Sequence, residues 1–358
     1  MKILFAVDSL QSGGAERVVS ILANTLSKNN ACEILVVSSI SFSSFYKLSE
    51  SVNVLYLQKE KQCRGLKRVC FLRKTIKRIH PDVIISFLPH INVYVHFAIQ
   101  GLKIKHIVSE RNNPYLDPPN HILKRLKEFV FSKADGCVFQ TKQAYDYFNK
   151  INHTKKKIIQ NPVEICKDAK YCSEKERIIL NVGRFVQQKN QKFLIDVYNE
   201  FIKKSDFSDF QLIIIGSGPL KQKLVDQVKM LNLVNKVQIL NSNPNWLKEY
   251  NNATMFVLTS IMEGMPNVLL EAMVHGIPSI SFDCPIGGPK ELISNGINGY
   301  LVEMGNKEQL LSCMESIARD EKTISDKFFK HNTELAKHLS PEAVSGQWIA
   351  FIEEVLRK

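Results

Sequence analysis

The sequence predicts an α/β protein of two doubly wound domains, each built on a parallel sheet that is covered by helices. Three observations support this. The 358 residues exceed what a single core usually serves, so two domains are expected. Short apolar runs alternate with helical patterns along the chain, which is typical of parallel sheets. This alternation pauses once, near residue 168, and then begins again.

In the first half, strands are predicted wherever apolar and β-branched residues run together. KILFAVDS is the first strand, and residues 15–28 follow it as a helix. The next elements are the strands EILVVSS and NVLYL, a basic helix, the strands DVIISFL and HIVSE, a helix at 121–133 and the strand GCVFQT. Because these strands are almost continuously apolar, both faces of their sheet are expected to be covered.

A polar stretch, KIIQNPVEICKDAKYCSEKER, separates the halves and predicts domains at 1–168 and 169–340. The second half repeats the scheme. Its elements are a strand at 177–182, a helix at 190–204, QLIIIG, a helix at 219–231, VQIL, a helix at 244–251, MFVLTS, a helix at 266–275, PSISF and GYLV. A last helix, 341–358, could return to the first domain. Ligands are expected in a cleft between the carboxyl ends of the two facing sheets.

Composition argues against several classes of protein. No apolar run approaches the roughly 18 residues of a membrane span, and the apolar run in MKILFAVDSL is too short for a signal peptide. A cytoplasmic protein is therefore expected. The eight cysteines show no C-x-x-C pairing and no histidine cluster at zinc spacing. This pattern predicts reduced thiols, no metal site and no disulfide framework.

The excess positive charge lies in the first half. Residues 1–170 contain 27 Lys and Arg against 13 Asp and Glu, whereas the remainder contains 21 against 22. Residues 59–81 hold nine of these basic side chains among regularly spaced apolar residues, which predicts an amphipathic helix with a basic face. That face suits an anionic membrane surface, but also a solvated helix packed on its own domain. The membrane candidates are Lys67, Arg68, Arg73 and Lys74. Without aromatic interleaving, no nucleic-acid partner is expected.

Two cations follow the strand IILNVG. In GRFVQQKN, Arg184 and Lys189 lie in a loop that enters a helix, where backbone N–H groups and the helix dipole favour an anion. A diphosphate suits such a site, although surface charge on a loop is the simpler alternative. The turn GSGPLK lacks the third glycine of a dinucleotide fingerprint, which disfavours a Rossmann dehydrogenase.

Two carboxylates, Glu263 and Glu271, enclose an apolar run in EGMPNVLLE. This run follows the strand MFVLTS, so Glu263 is predicted in a loop and Glu271 one turn inside a helix that begins at Pro266. The N–H groups expected to face a phosphate are those of Asn267, Val268 and Leu269. Carboxylates can accept paired hydrogen bonds from vicinal hydroxyls, so one would suit a ribose and the other a sugar ring.

Taken together, these motifs resemble glycosyltransferase family 4, whose members are retaining enzymes of the GT-B fold. The resemblance is carried by E-x7-E after a strand ending in Ser, G-R-x-x-x-x-K before it, GSGP between them and a glycine pair in the first loop. GGAERV, VSERNNP, EGMPNVLLEAM and SFDCPIGGPKELI are most similar to a bacterial branch. That branch adds N-acetylgalactosamine or related sugars to undecaprenyl-diphosphate-linked glycans.

The resemblance implies transfer of a hexose or N-acetylhexosamine, with GalNAc expected, from a UDP-sugar to a lipid-linked saccharide in bacterial surface polysaccharide or glycan biosynthesis. It implies that Arg184 and Lys189 neutralise the donor diphosphate, that Glu271 holds the ribose and that Glu263 contacts the transferred sugar. No cofactor beyond the nucleotide sugar is implied, and the lack of an Asp-x-Asp motif predicts independence from metal ions. The expected location is the inner face of the cell membrane, with peripheral attachment.

The first domain is implied to bind the acceptor, with Gly13 and Gly14 letting its first loop approach the donor. Many family members have a histidine in the loop after the fifth strand, where this sequence reads SERNNP. Glu110 and Arg111 are therefore candidates for an acceptor or active-site loop. CPIGGPKE is one residue longer than the form typical of the branch, in a loop that faces the donor sugar.

Two other classes of function stay open. A UDP-sugar epimerase can share this architecture and would need no acceptor, although the basic first half argues against it. A non-catalytic lipid-binding or nucleic-acid-binding protein could also be built on this scaffold. The presence of both cations and both carboxylates disfavours that second class.

Overall fold

The computed structural model describes residues 1–37, 43–57, 65–150, 154–166 and 171–357. The chain forms two compact units, one of Met1–Pro162 with Leu339–Lys358 and the other of Val163–His338. The predicted boundary near residue 168 lies outside the described residues, and the units divide between Pro162 and Val163.

The first unit contains one parallel sheet. Its strands are β1 (Lys2–Val7), β2 (Ala31–Val36), β3 (Asn53–Tyr56), β4 (Val83–Phe87), β5 (Lys105–Ser109), β6 (Gly136–Phe139) and β7 (Lys155–Ile158). Their order is β3-β2-β1-β4-β5-β6-β7. Strands β2 and β3 are added on one side of β1, and β4 to β7 on the other side, so the strand order switches between the neighbours β1 and β4. In open α/β sheets, ligands bind outside the carboxyl ends of the strands at such a switch point.

Helices cover this sheet because its central strands are apolar on both faces. They are α1 (Gly14–Leu26), α2 (Gly65–Ile79), α3 (Pro89–Ala98), α4 (His121–Lys133) and α5 (Lys142–Tyr147). In α2, the side chains of Leu72, Ile76 and Ile79 are buried at helical spacing, and they join a core cluster with β4 and α3.

The second unit repeats this arrangement with six strands. They are β8 (Glu176–Val182), β9 (Gln211–Ile215), β10 (Val237–Leu240), β11 (Ala253–Leu258), β12 (Ser279–Asp283) and β13 (Tyr300–Glu303). Their order is β10-β9-β8-β11-β12-β13, all in parallel pairs, so the switch point of this unit lies between β8 and β11.

The helices of the second unit are α6 (Gln191–Phe201), α7 (Lys221–Met230), α8 (Trp246–Tyr250), α9 (Asn267–Val274), α10 (Gly288–Leu292), α11 (Lys307–Arg319) and α12 (Glu321–His338). Two predicted helix starts are wrong by one or two residues. Pro266 is the residue before α9, and Pro219 lies in a turn closed by the N–H of Lys221 and the carbonyl of Gly218.

The last helix, α13 (Pro341–Leu356), belongs to the first unit. Its Trp348 is fully buried beside Phe87 of β4, with ring centroids 6.4 Å apart. The predicted fold class, two doubly wound α/β domains, is confirmed. The end of the predicted strand EILVVSS, beyond Val37, lies outside the described residues.

Candidate active site

The loop after β8 carries the two predicted cations of the second unit. Arg184 is exposed in this loop, whereas Lys189 ends a short 3-10 turn, Gln187–Lys189, that leads into α6. Asn190 makes the junction in the left-handed region, at φ 50°, a conformation that asparagine tolerates better than most residues. The loop therefore presents both cations at the carboxyl edge of the sheet, next to the switch point.

The glycines of GSGP support this loop from the neighbouring strand end. The N–H of Phe185 donates to the carbonyl of Ser217, at 2.7 Å. A β-carbon at Gly216 would overlap the carbonyl oxygen of Gly183, and one at Gly218 would overlap the backbone of Phe185. These two glycines therefore let the two loops meet backbone to backbone, and thereby fix the position of the Arg184 loop.

The loop after β11, on the other side of the switch point, is joined to the same turn. The N–H of Ile261 donates to the carbonyl of Gln188 at 2.9 Å, and Gln188 Nε2 donates to the carbonyl of Met262 at 2.9 Å. Lys189 Nζ then forms an ion pair with Glu263 Oε1 at 2.5 Å, and the two side chains are only 12% and 8% exposed. The cation predicted to bind the diphosphate, Lys189, is thus paired with the carboxylate predicted to contact the sugar, Glu263.

The first turn of α9 lies at the same edge, directly after Glu263. Asn267 and Val268 occupy its first two positions, and their N–H groups precede the hydrogen-bond ladder of the helix. The N–H of Leu269 instead donates to the carbonyl of Pro266 at 3.1 Å. The prediction that this third N–H faces a phosphate is therefore wrong, because Pro266 closes a tight turn there. Glu271 lies one turn further on and is buried.

The loop after β12 packs behind Glu263. Ile286 and Gly287 both have positive φ, 75° and 67°, before α10 begins. A β-carbon at Gly288 would overlap the carbonyl oxygen of Gly264, so only glycine allows this close approach. Burial, together with the nearby Glu263 carboxylate, raises the pKa of the Cys284 thiol to about 12. Cys284 is therefore a neutral packing residue here.

Replacement of Gly288 by Ala is expected to displace the Glu263 loop and lower both thermal stability and activity. The added methyl group meets backbone atoms rather than a movable side chain, and overpacking of this kind costs about 1–3 kcal/mol. Gly346→Ala is the matched control, since Gly346 is also helical but has open space around its β-carbon position. Thermal unfolding of both variants tests this, and equal stability would contradict it.

A surface hollow of about 750 Å³ lies at another part of the second unit. Three carboxylates line it, those of Asp283, Glu303 and Glu308, together with neutral side chains. A diphosphate would meet like charge there, which costs binding energy. The edge with Arg184 and Lys189 is the better anion site on charge alone.

In the first unit, the glycine pair stands where β1 turns into α1. Gly13 precedes the helix with an extended backbone, φ −167°, which any residue could adopt. A β-carbon there would overlap only the carboxylate of Glu16, the mobile end of a flexible side chain. Neither backbone conformation nor close packing therefore demands glycine at residue 13. Approach of a ligand to Gly13 and Gly14 stays a prediction.

Glu110 and Arg111 are both buried inside the first unit. Glu110 is buried and accepts hydrogen bonds from Lys127 Nζ at 2.9 Å and from the N–H groups of Arg111 and Asn112. Burial is the main cause that raises the pKa of Glu110 and lowers that of Arg111 to about 9. These placements do not favour the predicted direct contact with an acceptor.

Arg111 also anchors α13. Its guanidinium group lies 4.6 Å from the ring centre of Phe87 and 5.9 Å from that of Trp348, and its Nη1 donates to Asn161 Oδ1 at 2.8 Å. A buried guanidinium that stacks on two aromatic rings stabilises packing of the last helix on the sheet. The SERNNP loop is therefore a structural corner of the first unit.

The predicted basic helix is α2, in which some cations contact the first unit and others are exposed. Arg73 Nη1 donates to the carbonyls of Ala98 and Gln100 at the end of α3, and Arg68 lies 5.1 Å from the ring centre of Tyr94. Lys67 and Lys74 are exposed, as are Phe71, Lys77 and Arg78. Arg68 and Arg73 therefore make contacts inside the first unit, and the membrane role predicted for them stays a prediction. The basic residues before Gly65, from Lys59 onward, lie outside the described residues.

Sequence reasoning missed one pair at the switch point of the first unit. Asp8 follows β1, His90 follows β4, and His90 Nε2 lies 2.9 Å from Asp8 Oδ1. A usable signal was present in KILFAVDS and DVIISFLPH, because Asp8 comes directly after one apolar strand and His90 three residues after the end of another.

Within the described ranges, no three His, Cys, Asp or Glu side chains are grouped so that they could hold a metal ion. The helices of the same ranges include none with both the length and the apolar character needed to cross a membrane.

Family models match both halves of the chain. The model described as Glycosyl transferases group 1 matches residues 166–335, and the model described as Glycosyltransferase Family 4 matches residues 12–166. Together they span the glycine pair, both cations and both carboxylates.

Two bacterial proteins are similar to this chain over almost their whole length. One is the GalNAc-α-(1→4)-GalNAc-α-(1→3)-diNAcBac-PP-undecaprenol α-1,4-N-acetyl-D-galactosaminyltransferase of Campylobacter jejuni, 30% identical, with 99% of each chain covered. The other is the amylovoran biosynthesis glycosyltransferase AmsD of Erwinia amylovora, 24% identical, with 97% of this chain and 98% of that protein covered.

Solved structures share the fold at low identity. TarM of S. aureus has a TM-score of 0.83 at 14% identity, covering 100% of this chain and 99% of that chain. HepE of Anabaena, solved in complex with UDP, has a TM-score of 0.78 at 18% identity, covering 99% and 100%. Such identities support a shared architecture and do not extend to substrates.

Proposed function

This chain belongs to the glycosyltransferases of group 1 and family 4, and on that premise we propose that it transfers GalNAc, or a related hexose or N-acetylhexosamine, from a UDP-sugar to a lipid-linked saccharide. The observation that carries the proposal is the ion pair of Lys189 and Glu263 at the switch point of the second unit, with Arg184 exposed in the loop that leads to Lys189 and α9 beginning just after Glu263. The product would belong to a bacterial surface polysaccharide or glycan.

The residues of the second unit suit a departing diphosphate. As the bond between the sugar and the diphosphate breaks, negative charge grows on the leaving oxygen. Arg184, Lys189 and the N–H groups at the start of α9 would stabilise that charge, and such preorganised groups are usually the largest contribution to catalysis. Glu271 would hold the ribose hydroxyls, and Glu263 would contact the transferred sugar while orienting Lys189.

We propose retention of configuration without a nucleophilic carboxylate. The acceptor oxygen forms its bond to the anomeric carbon on the face from which the diphosphate leaves, and the departing phosphate oxygen takes the acceptor proton. The two cations would do the work that a divalent metal does in other transferases, so we propose that no metal is required. The similarity to the N-acetylgalactosaminyltransferase of Campylobacter jejuni supports the choice of sugar and acceptor. HepE, which shares the architecture, was solved with UDP, and this is consistent with a UDP-linked donor.

A donor screen tests the proposal. Purified protein in detergent, with and without EDTA, receives UDP-GalNAc, UDP-GlcNAc, UDP-Gal, UDP-Glc or GDP-mannose, each with and without a bacterial undecaprenyl-diphosphate-glycan extract. We expect release of UDP from one donor only when the extract is present, and an α-linked product by NMR. Release or isomerisation that ignores the extract would indicate an epimerase, and activity that EDTA abolishes would refute metal independence.

We further propose that α2 attaches the first unit to the inner face of the cell membrane. Lys67, Phe71, Lys74 and Arg78 are exposed, and their spacing places them on one stripe of the helix, away from its buried residues. Each basic residue near an anionic surface contributes about 1 kcal/mol of binding, and this attraction weakens with salt.

Charge reversal on this stripe is expected to abolish membrane binding. The variant is Lys67→Glu, Lys74→Glu and Arg78→Glu, which avoids Arg68 and Arg73 because they make contacts inside the unit. The control reverses three exposed lysines of the second unit, Lys203, Lys223 and Lys229. In flotation with anionic liposomes, we expect loss of binding of at least about 100-fold for the first variant only. Equal binding of both variants would refute the proposal.

A further inference from the structure

The pair of Asp8 and His90 occupies the switch point of the first unit. These residues follow β1 and β4, the two neighbouring strands between which the sheet order reverses. His90 Nε2 lies 2.9 Å from Asp8 Oδ1, and the side chains are 38% and 35% exposed. In the second unit, the candidate donor site lies at the equivalent place, after β8 and β11. The topology thus points to a ligand site here as well.

The backbone beside His90 is strained. Leu88 adopts φ 77° and ψ 141°, a region that a branched side chain rarely enters, and its carbonyl then accepts the first hydrogen bond of α3, from Asn92. This turn carries the chain from β4 through Pro89 to His90. Strain of this kind persists where the surrounding structure fixes a particular geometry, and this turn brings His90 within hydrogen-bond distance of Asp8.

A stabilising role explains the pair poorly. More than a third of each side chain is exposed, and solvent-exposed ion pairs contribute little to stability. By contrast, the pair of Lys127 and Glu110 in the same unit is almost completely buried. An accessible imidazole held by a carboxylate is instead an arrangement that proteins use to bind or orient a polar ligand.

We propose that His90 binds a non-reacting hydroxyl group of the acceptor saccharide and that Asp8 is its positioning residue. In the tautomer that carries its proton on Nε2, His90 donates to Asp8 Oδ1, and Nδ1 is then a hydrogen-bond acceptor for a sugar hydroxyl. His90 neither gains nor loses a proton during transfer, since the departing diphosphate takes the acceptor proton. This inference rests on the proposed function and names a specificity-determining contact within it.

Steady-state kinetics with varied acceptor and varied donor test the inference. For His90→Ala, we expect the KM for the acceptor to rise at least about tenfold, the loss that one hydrogen bond to a substrate hydroxyl produces, with less than twofold change in donor KM. His90→Gln should recover part of the loss, because its amide oxygen can accept the same bond. Asp8→Asn should shift acceptor KM in the same direction by less. The control His121→Ala replaces an exposed histidine elsewhere in the unit and should match the wild type.

The outcomes separate this inference from the proposed function. If the wild type is active and His90→Ala has an unchanged acceptor KM, or equal rises in donor and acceptor KM, the inference is overturned. If the wild type shows no acceptor-dependent release of UDP, the proposed function has failed. Binding of the acceptor saccharide to the protein then tests the inference about His90 separately. The water-soluble saccharide freed from the extract is then titrated by saturation-transfer NMR against wild type and His90→Ala. A signal lost in the variant supports a saccharide site, and equal signals or none refute it.

Discussion

Replacement of Lys189 by Met is expected to lower kcat/KM by about 100- to 1,000-fold. Removal of one preorganised donor that faces developing charge typically has an effect of this size. The side chain is only 12% exposed and is tied to Glu263, so its ammonium group is already in place before substrate binds. The effect should fall mainly on kcat, because the negative charge on the departing diphosphate grows as the sugar bond breaks.

The loss of Lys189 also leaves a buried carboxylate unpaired, so stability must be measured beside activity. Glu263 is 8% exposed, and an uncompensated charge at such a site is strongly destabilising. In the double variant with Glu263→Gln, we expect thermal stability to recover while activity stays low. Recovery of both would show that Lys189 acts only by neutralising Glu263.

The matched control for Lys189 is Lys192→Met. Lys192 is exposed in the first turn of α6, three residues along the chain, and its side chain faces solvent. The Lys192→Met substitution removes the same charge from the same region of the unit. A loss of long-range attraction between the protein and its anionic donor would therefore affect both variants. We expect less than twofold change in kcat/KM for this control. A similar loss for Lys192 and Lys189 would contradict a local role for Lys189.

Most of the fold could be predicted from sequence because the buried strands are short and continuously apolar. The elements that were not predicted are α3, α5, α10, α11, α12 and β7. The pattern of α11 was usable, because Leu310, Met314 and Ile317 are buried at helical spacing. Two of the other elements have an ambiguous pattern. The helix α3, PHINVYVHFA, has buried residues on most of its surface, so its apolar residues lack an amphipathic period. The strand β7, KKKI, has three lysines and lies at the edge of the sheet, where charged side chains are tolerated and prevent pairing with other chains.

The residues of the candidate site could be predicted from sequence, but the ion pair between two of them could not. Arg184, Lys189, Glu263 and Glu271 were recognisable from motifs at strand ends, because the topology brings those ends to one edge. That Lys189 pairs with Glu263 depends on hydrogen bonds between two loops separated by about 74 residues of chain. The contact of Arg73 with the end of α3 could not be predicted either, because the sequence pattern of a surface helix is the same whether an arginine faces solvent or donates to the end of a neighbouring helix.

Lys127→Met is expected to destabilise the first unit by about 3–5 kcal/mol, the typical cost of breaking a buried ion pair from one side. Lys127 is completely buried in α4, and its ammonium group donates to Glu110 at 2.9 Å and to the carbonyl of Asp117. Without it, Glu110 must keep an unpaired charge in an apolar setting or bind a proton. Both Glu110 N–H partners, Arg111 and Asn112, lie in the corner that supports α13.

Fluorescence can report this loss in the first unit alone. The chain has two tryptophans, Trp348 in the first unit and Trp246 in the second. In a Trp246→Phe background, urea unfolding followed by Trp348 measures the unit that contains the pair, which matters because two units need not unfold as one. Arg125→Met, at an exposed position of the same helix, is the control and should shift the transition little.

The double variant Lys127→Met with Glu110→Gln decides between two explanations of the loss. If the cost comes from an unpaired buried charge, the neutral glutamine should recover much of it, because its amide can still accept from the two backbone N–H groups. If the double variant is as unstable as the single one, the ammonium group matters through Asp117 instead. A Lys127→Met variant as stable as the Arg125 control would show that the corner holds α13 without the ion pair.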